Sequence, residues 1–107
     1  MVNFSAAALD ATFGALADPT RRAILRRLAQ GEASTGALAA PFAMSLPAVT
    51  KHLRVLEEAG LVTGLRTGRV HRYCLRADPL RVASDWLTHY QSFWDGQFDA
   101  LDAYVSD

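Results

Sequence analysis

The chain has little of what would staple a protein covalently, anchor it in a bilayer or leave it unfolded. Cys74 is the only cysteine among 107 residues, which excludes an internal disulfide framework and a thiolate cluster for a metal. No run of Ala, Val, Ile, Leu, Met, Phe, Trp, Tyr or Cys exceeds four residues (Ala6 to Leu9, Ala37 to Ala40), so no segment is expected to span a membrane. Asp10 lies in the opening stretch and no basic residue precedes Arg21, a pattern unlike a secretory signal. Glycine-rich phosphate loops, internal repeats, low-complexity tracts and linkers are all missing. Hydrophobic residues make up 50% of the chain and the formal net charge is zero, which excludes global disorder. The expectation is one soluble, cytoplasmic domain over residues 1–107.

The zero net charge hides a segregation. Residues 1–20 carry Asp10 and Asp18, a net −2. Residues 21–77 hold ten basic side chains (Arg21, Arg22, Arg26, Arg27, Lys51, Arg54, Arg66, Arg69, Arg72, Arg76) against Glu32, Glu57 and Glu58, a net +7. Residues 78–107 carry Arg81 against six aspartates, a net −5. A basic middle between acidic ends suits a polyanion bound at the middle, with the ends turned away.

Apolar spacing predicts the order α-α-α-α-β-β-α, mainly helical with a small β-hairpin. Leu9, Phe13 and Leu16 recur at helical intervals and read as the buried stripe of a short first helix. Asp18-Pro19 is a start signal, cap then proline in the first turn. The helix it opens buries Ile24, Leu25 and Leu28 and stops at Gly31. Ser34 or Thr35 can cap a third helix carrying Leu38 and Ala39, kept short by Pro41. Ser45 caps a fourth, with Pro47 in its first turn and Gly60 at its end. Leu61 to Arg66 and Val70 to Leu75 read as strands joined by Thr67-Gly68-Arg69, with Tyr73 and Leu75 facing inward. Asp78-Pro79 repeats the start signal. The 26 residues from Leu80 to Val105 contain no proline and would span about 39 Å as one helix.

The fourth helix is the informative one. At about 100° per residue, Val49, Leu53 and Leu56 cluster, with Pro47, Lys51, Arg54 and Glu58 opposite and Thr50 on the flank. A short helix, a tight turn and a second helix with outward cations form a helix-turn-helix. Its second helix can enter the major groove of DNA with its N-terminal half leading. Ser45, Pro47, Thr50, Lys51 and Arg54 are then the groove-facing set, Arg and Lys being suited to guanine edges. Taken alone, such a face could equally be a solvated helix surface. The hairpin beside it adds Arg66, Arg69, His71 and Arg72, as a phosphate clamp or minor-groove probe would. His52, at the edge of the buried stripe, reads as a packing or phosphate contact.

These residues carry a resemblance. Leu16-Ala-Asp-Pro-Thr-Arg-Arg-Ala-Ile-Leu-Arg-Arg-Leu, then Met44-Ser-Leu-Pro-Ala-Val-Thr-Lys-His-Leu-Arg-Val-Leu-Glu-Glu-Ala-Gly-Leu-Val, then Gly68-Arg-Val-His-Arg-Tyr, resemble the ArsR family of winged helix-turn-helix repressors over about residues 9–76. The stretch Trp86-Leu-Thr-His-Tyr-Gln-Ser-Phe-Trp-Asp resembles an aromatic tail of a branch without the metal motif. The resemblance implies a homodimer on double-stranded operator DNA near promoters, acting as a repressor released by an effector. Here that effector is left as an unknown small molecule. By position it makes Ser45 to Ala59 the recognition helix and Arg66 to Val70 the wing. Metal-sensing members use a Cys-x-Cys motif or Asp/His/His/Glu ligands on the last helix. In this chain the first region reads Leu38-Ala-Ala-Pro-Phe-Ala-Met, without cysteine. The last helix offers only Asp85 and His89 at i, i+4, too few ligands unless a dimer supplies more. Cys74 reads as a small strand residue. Neither metal nor cofactor is expected.

The tail is the predicted dimer seam. Leu87, Tyr90, Trp94, Gln97, Leu101 and Tyr104 are spaced 3, 4, 3, 4, 3, and Trp86, Phe93 and Phe98 widen the stripe. A single winged helix cannot cover that face, so a second copy is expected against it. Phe4, Leu9 and Phe13 can pack beside it, and Gly96 can allow close approach of two helices or a local kink. The competing functions are a winged-helix protein-interaction module that does not bind DNA, and a metal-responsive repressor with non-standard ligands. An enzyme is disfavoured, since Asp85 and His89 have no recognisable nucleophile partner.

Overall fold

In the computed structural model, which describes residues 5–97, four helices begin on a short polar side chain. The oxygens of Ser5, Asp18, Ser34 and Ser45 accept from the backbone N–H three residues on, at Ala8, Arg21, Ala37 and Ala48. Each thereby satisfies one of the donors that a helix start leaves open. The helices are α1 (Ala6–Leu16), α2 (Pro19–Leu28), α3 (Thr35–Ala39) and α4 (Leu46–Glu58). Strands β2 (Val62–Thr67) and β3 (Val70–Leu75) follow, then α5 (Asp78–Leu87), a 3₁₀ turn (Thr88–Tyr90) and a helical run over 91–97. This is a mainly helical winged-helix architecture with a small antiparallel sheet.

A third strand, β1 (Ala33–Ser34), was not in the expected order. It pairs antiparallel with β3, Ala33 opposite Tyr73 and Ser34 opposite Arg72, giving the sheet order β1-β3-β2. Two residues carry no periodicity, and their pairing lies about forty positions away, so no local pattern announces them. Within the hairpin, Gly64 lies opposite Tyr73 and Thr67 opposite Val70, closing a loop of Gly68 and Arg69.

The core is built where α2 and α4 pack against each other and against the sheet. Ile24, Leu25 and Leu28 of α2, Leu38 of α3, and Val49, Leu53 and Leu56 of α4 are buried together with Leu61, Val62 and Tyr73. The α4 end is sealed by Gly60, at φ 76°. Gly60 N donates to Glu57 O (3.0 Å) and Leu61 N to Leu56 O (2.9 Å), the paired bonds of a Schellman cap. The helix therefore passes into β2 with no loose linker.

Three further expectations change. On α1 the buried residues are Thr12 and Ala15, not the Leu9/Phe13/Leu16 stripe; Leu9 and Leu16 are half-buried and Phe13 is exposed. Thr12 is only 2% exposed, and its hydroxyl donates to Ala8 O at 3.0 Å, which removes the penalty of burying it. Asp78 does not cap α5. Ala77 is the cap and makes no side-chain bond, while Asp78 sits inside the first turn, where its charge still favours the helix N-terminus. The long last helix is interrupted at 88–90. Thr88 Oγ1 donates to Ser84 O (3.0 Å) and His89 Nδ1 to Trp86 O (2.8 Å), side-chain bonds that bend or tighten a helix locally.

Leu53 is wholly buried at the centre of this core. Leu53→Ala is expected to lower stability by about 2–5 kcal/mol. Urea unfolding at fixed protein concentration should show a lower midpoint with an unchanged slope.

Candidate nucleic-acid interface

Burying Val49, Leu53 and Leu56 fixes the rotation of α4 about its axis. Lys51 and Arg54 are consequently exposed, and with Leu46, Pro47 and Thr50 they line one open concavity of about 520 Å³. Ser45, at the leading end, uses its hydroxyl to cap the helix (3.3 Å to Ala48 N). The preceding turn is held by Phe42, which packs on the core while Pro41 stays outside.

His52, on the same helix, does not share that face. Its side chain is half-buried and turns toward the α1–α2 joint, with Nδ1 at 3.3 Å from the Arg21 guanidinium and 3.9 Å from Asp18 Oδ2. Arg21 in turn donates through Nε to Ala15 O (2.7 Å) and through a terminal nitrogen to Gly14 O (3.0 Å). Arg22 donates to Leu16 O at 2.8 Å. Both arginines therefore serve the carbonyl end of α1, where cations are favoured, and only part of the basic middle faces outward. Asp18 completes the joint. The Arg21 N–H held by its carboxylate is the main cause lowering the Asp18 pKa, aided by His52 and the Arg21 guanidinium against partial desolvation.

The hairpin carries the second cationic group. Arg66 and Arg69 are exposed, Arg69 at the loop and Arg66 directly across from His71. Arg72 lies on the other face of the sheet, 3.7 Å from Glu32. His71 stacks on Tyr73, ring centroids 4.6 Å apart, with Nδ1 3.4 Å from the phenol oxygen. Burial raises the Tyr73 phenol pKa; Glu57 raises it further and Arg54 opposes.

Glu57 is the residue that sequence reasoning passed over. Its carboxylate accepts from Gly64 N at 3.1 Å, so α4 satisfies a backbone donor on the outer edge of β2. The approach is close. A Cβ at Gly64 would lie 2.8 Å from His71 Nε2, 3.0 Å from Glu57 Oε2 and 3.2 Å from Tyr73. A glycine inside a strand was the available signal, since it marks close approach as often as a bulge. The bond braces the helix against the hairpin.

The expected seam residues that the structure describes lie on α1 and on the helical run from α5 onward. Phe13 meets Trp86 edge-on at 5.7 Å, and Trp86 meets Tyr90 at 5.4 Å. Leu9 and Leu87 are half-buried, while Tyr90, Phe93 and Trp94 are exposed, Phe93 at 63%. Gly96 is exposed, and beyond its chain neighbours and its own helix backbone no atom of the described residues lies within 4 Å of where a Cβ would stand. Phe4, Phe98, Leu101 and Tyr104 lie outside the described residues. Among the described residues, no three His, Cys, Asp or Glu side chains come together as metal ligands, and no helix is long and apolar enough to cross a membrane.

The Asp18 carboxyl titrates below its ordinary value near 3.8 in the folded chain. Its contribution to stability is complete above the unfolded value and is lost as pH falls through the lowered folded one. Asp18→Asn keeps a cap acceptor but removes the charge. Urea midpoints followed from about pH 5 to about pH 2 should therefore fall less in Asp18→Asn than in the wild type. Parallel profiles would show that the carboxylate charge adds nothing.

Comparison with known proteins agrees with this geometry. Residues 16–64 match a family model described as a helix-turn-helix domain. The chain is 32% identical to the transcriptional repressor SdpR of Bacillus subtilis over 82 residues, 77% of this chain and 91% of that protein. It is 44% identical to the HTH-type transcriptional regulator Rv2034 of Mycobacterium tuberculosis over 85 residues, 79% of this chain and 77% of that one. The crystal structure of an ArsR family transcriptional regulator superposes with a TM-score of 0.81 at 39% identity, covering 89% of this chain and 97% of that one. The chain thus belongs to the ArsR family, DNA-binding transcriptional regulators that include repressors.

Proposed function

We propose that the protein is a homodimeric repressor that holds a palindromic operator between two copies of α4. The observation that carries this reading is the exposed Lys51 and Arg54 face beside the Arg66 and Arg69 hairpin. In this reading the N-terminal half of α4 enters the major groove, with Ser45, Pro47, Thr50, Lys51 and Arg54 toward the bases. Arg66, Arg69 and His71 follow the backbone or the minor groove, which positions the protein without reading every base. Arg72 joins them only by leaving Glu32. His52 acts indirectly, as the joint that holds α4 against α1 and α2.

Dimerisation is supported by the aromatic surface. Exposed Tyr90, Phe93 and Trp94 follow Phe13 and Trp86 along the same end of the chain, and clustered exposed aromatics of this kind mark protein–protein contacts. A dimer joined there presents two recognition helices related by two-fold symmetry. Its operator is an imperfect palindrome with half-sites roughly 34–36 Å apart. Light scattering at micromolar concentration should give twice the chain mass; a monomer with an intact tail would remove the two-fold argument.

Base reading and phosphate contact separate in a binding titration against operator and scrambled duplexes at several salt concentrations. Lys51→Ala or Arg54→Ala should cost about 1–3 kcal/mol on operator and relax one position in each half-site. Arg69→Ala should weaken both duplexes by similar factors and reduce the slope of log affinity against log salt by about one unit for each phosphate that is no longer neutralised. Loss of operator preference in Arg69→Ala alone would reverse the assignment of helix and wing.

A further inference from the structure

Leu46 stands where the fold has no use for it. It occupies the first turn of α4 and is 55% exposed. The other large apolar side chains of α4 are engaged elsewhere: Val49, Leu53 and Leu56 are buried, and Val55 packs against the core. A lone exposed leucine is ordinary on a protein surface. Leu46 differs in its setting, because Leu46, Thr50 and Arg54 recur at i, i+4 and i+8 and so stand in one row along the helix. That row lines the open concavity together with Pro47 and Lys51.

The flanking charge identifies the occupant. Lys51 and Arg54 make the concavity cationic, and no acidic side chain in the first turn of α4 offsets the positive end of the helix. The partner is therefore anionic, yet at one spot it must present an apolar group to Leu46. On the readable edge of duplex DNA, that group is the C5-methyl of thymine. We infer that Leu46 reads thymine methyls, one in each half-site of the operator. This rests on the DNA-bound orientation of α4 given under Proposed function. Leu46 lies eight residues before Arg54, about 12 Å along the helix axis. That is at most about three to four base-pair steps of 3.4 Å, because a helix lying in the major groove is inclined to the duplex axis. The thymine is accordingly placed within about four base pairs of the position that Arg54 reads.

The test begins with selection of binding sequences from a randomised duplex library by the full chain. Each thymine of the selected operator is then replaced singly by deoxyuridine, which deletes the methyl and leaves base pairing unchanged. Wild type and Leu46→Ala are titrated on every duplex, with thermal melting of both proteins as a check that the exposed substitution leaves folding intact. The expected result is one thymine per half-site whose replacement weakens wild type about fourfold, the scale for one methyl-sized group of buried apolar surface. Replacement in both half-sites should then cost about sixteenfold, since separated positions act roughly additively. Leu46→Ala should bind operator and substituted duplexes equally. If an operator is selected but every deoxyuridine affects both proteins alike, the Leu46 assignment falls and the DNA-binding reading stands. If no sequence is enriched, the base-reading orientation of α4 fails and this inference fails with it.

Discussion

The cationic face of α4 depends on one stripe of leucine and valine. Val49, Leu53 and Leu56 are buried against Ile24, Leu25 and Leu28 of α2. Burying a side chain of this size is worth about 1.5–3 kcal/mol, far more than an exposed charge gains by its choice of orientation. The stripe therefore decides the roll of α4, and the cations take whatever direction remains. Rolling the helix by one position, about 100°, would carry Leu53 into water and Lys51 toward the core. The direction of the cationic side chains thus rests on apolar packing rather than on the charges themselves.

Charge alone misjudges this protein in both directions. The whole chain is neutral, which conceals the basic middle. The basic middle in turn overstates the charge available to a partner. Arg21 and Arg22 are committed to the carbonyl end of α1, and Arg72 faces Glu32. An arginine with several donors can satisfy helix carbonyls that no backbone group reaches, and this use leaves no trace in a charge count. What distinguishes Arg54 from Arg21 is the element it sits on and the face it shares, not its type.

Where the sequence was legible, the chemistry was local. Asp18-Pro19, Ser45 with Pro47, and Gly60 announce ends of α2 and α4 because capping acts within three or four residues. The apolar face of α4 was equally clear, since Val49, Leu53 and Leu56 repeat over about two turns. Illegible features depend on partners distant in sequence or on a single side-chain bond. β1 exists only through β3. Thr12 is buried because its hydroxyl folds back on its own helix, and the last helix breaks where Thr88 and His89 bond to carbonyls behind them. The candidate site divides the same way. Lys51, Arg54 and Arg69 follow from periodicity and turn position, whereas Glu57 and the inward turn of His52 follow from contacts that no spacing reveals.

Two polar attachments hold α4, one at its middle and one at its end, and they differ in kind. At its midpoint, His52 meets Arg21 and Asp18, side chains that are themselves tied to the end of α1 and the start of α2. Toward its finish, the Schellman cap at Gly60 and the Glu57 to Gly64 bond tie it to β2 across only seven residues. The helix and hairpin are therefore joined by local chemistry, while the helix and the rest of the bundle are joined by tertiary contact. α1 packs on α5 and also meets α4 directly, so the His52 joint is one of several links between the aromatic side and α4, beside the buried stripe on α2. The Glu57 to Gly64 bond is the polar side-chain link that ties the hairpin to the helix carrying Lys51 and Arg54.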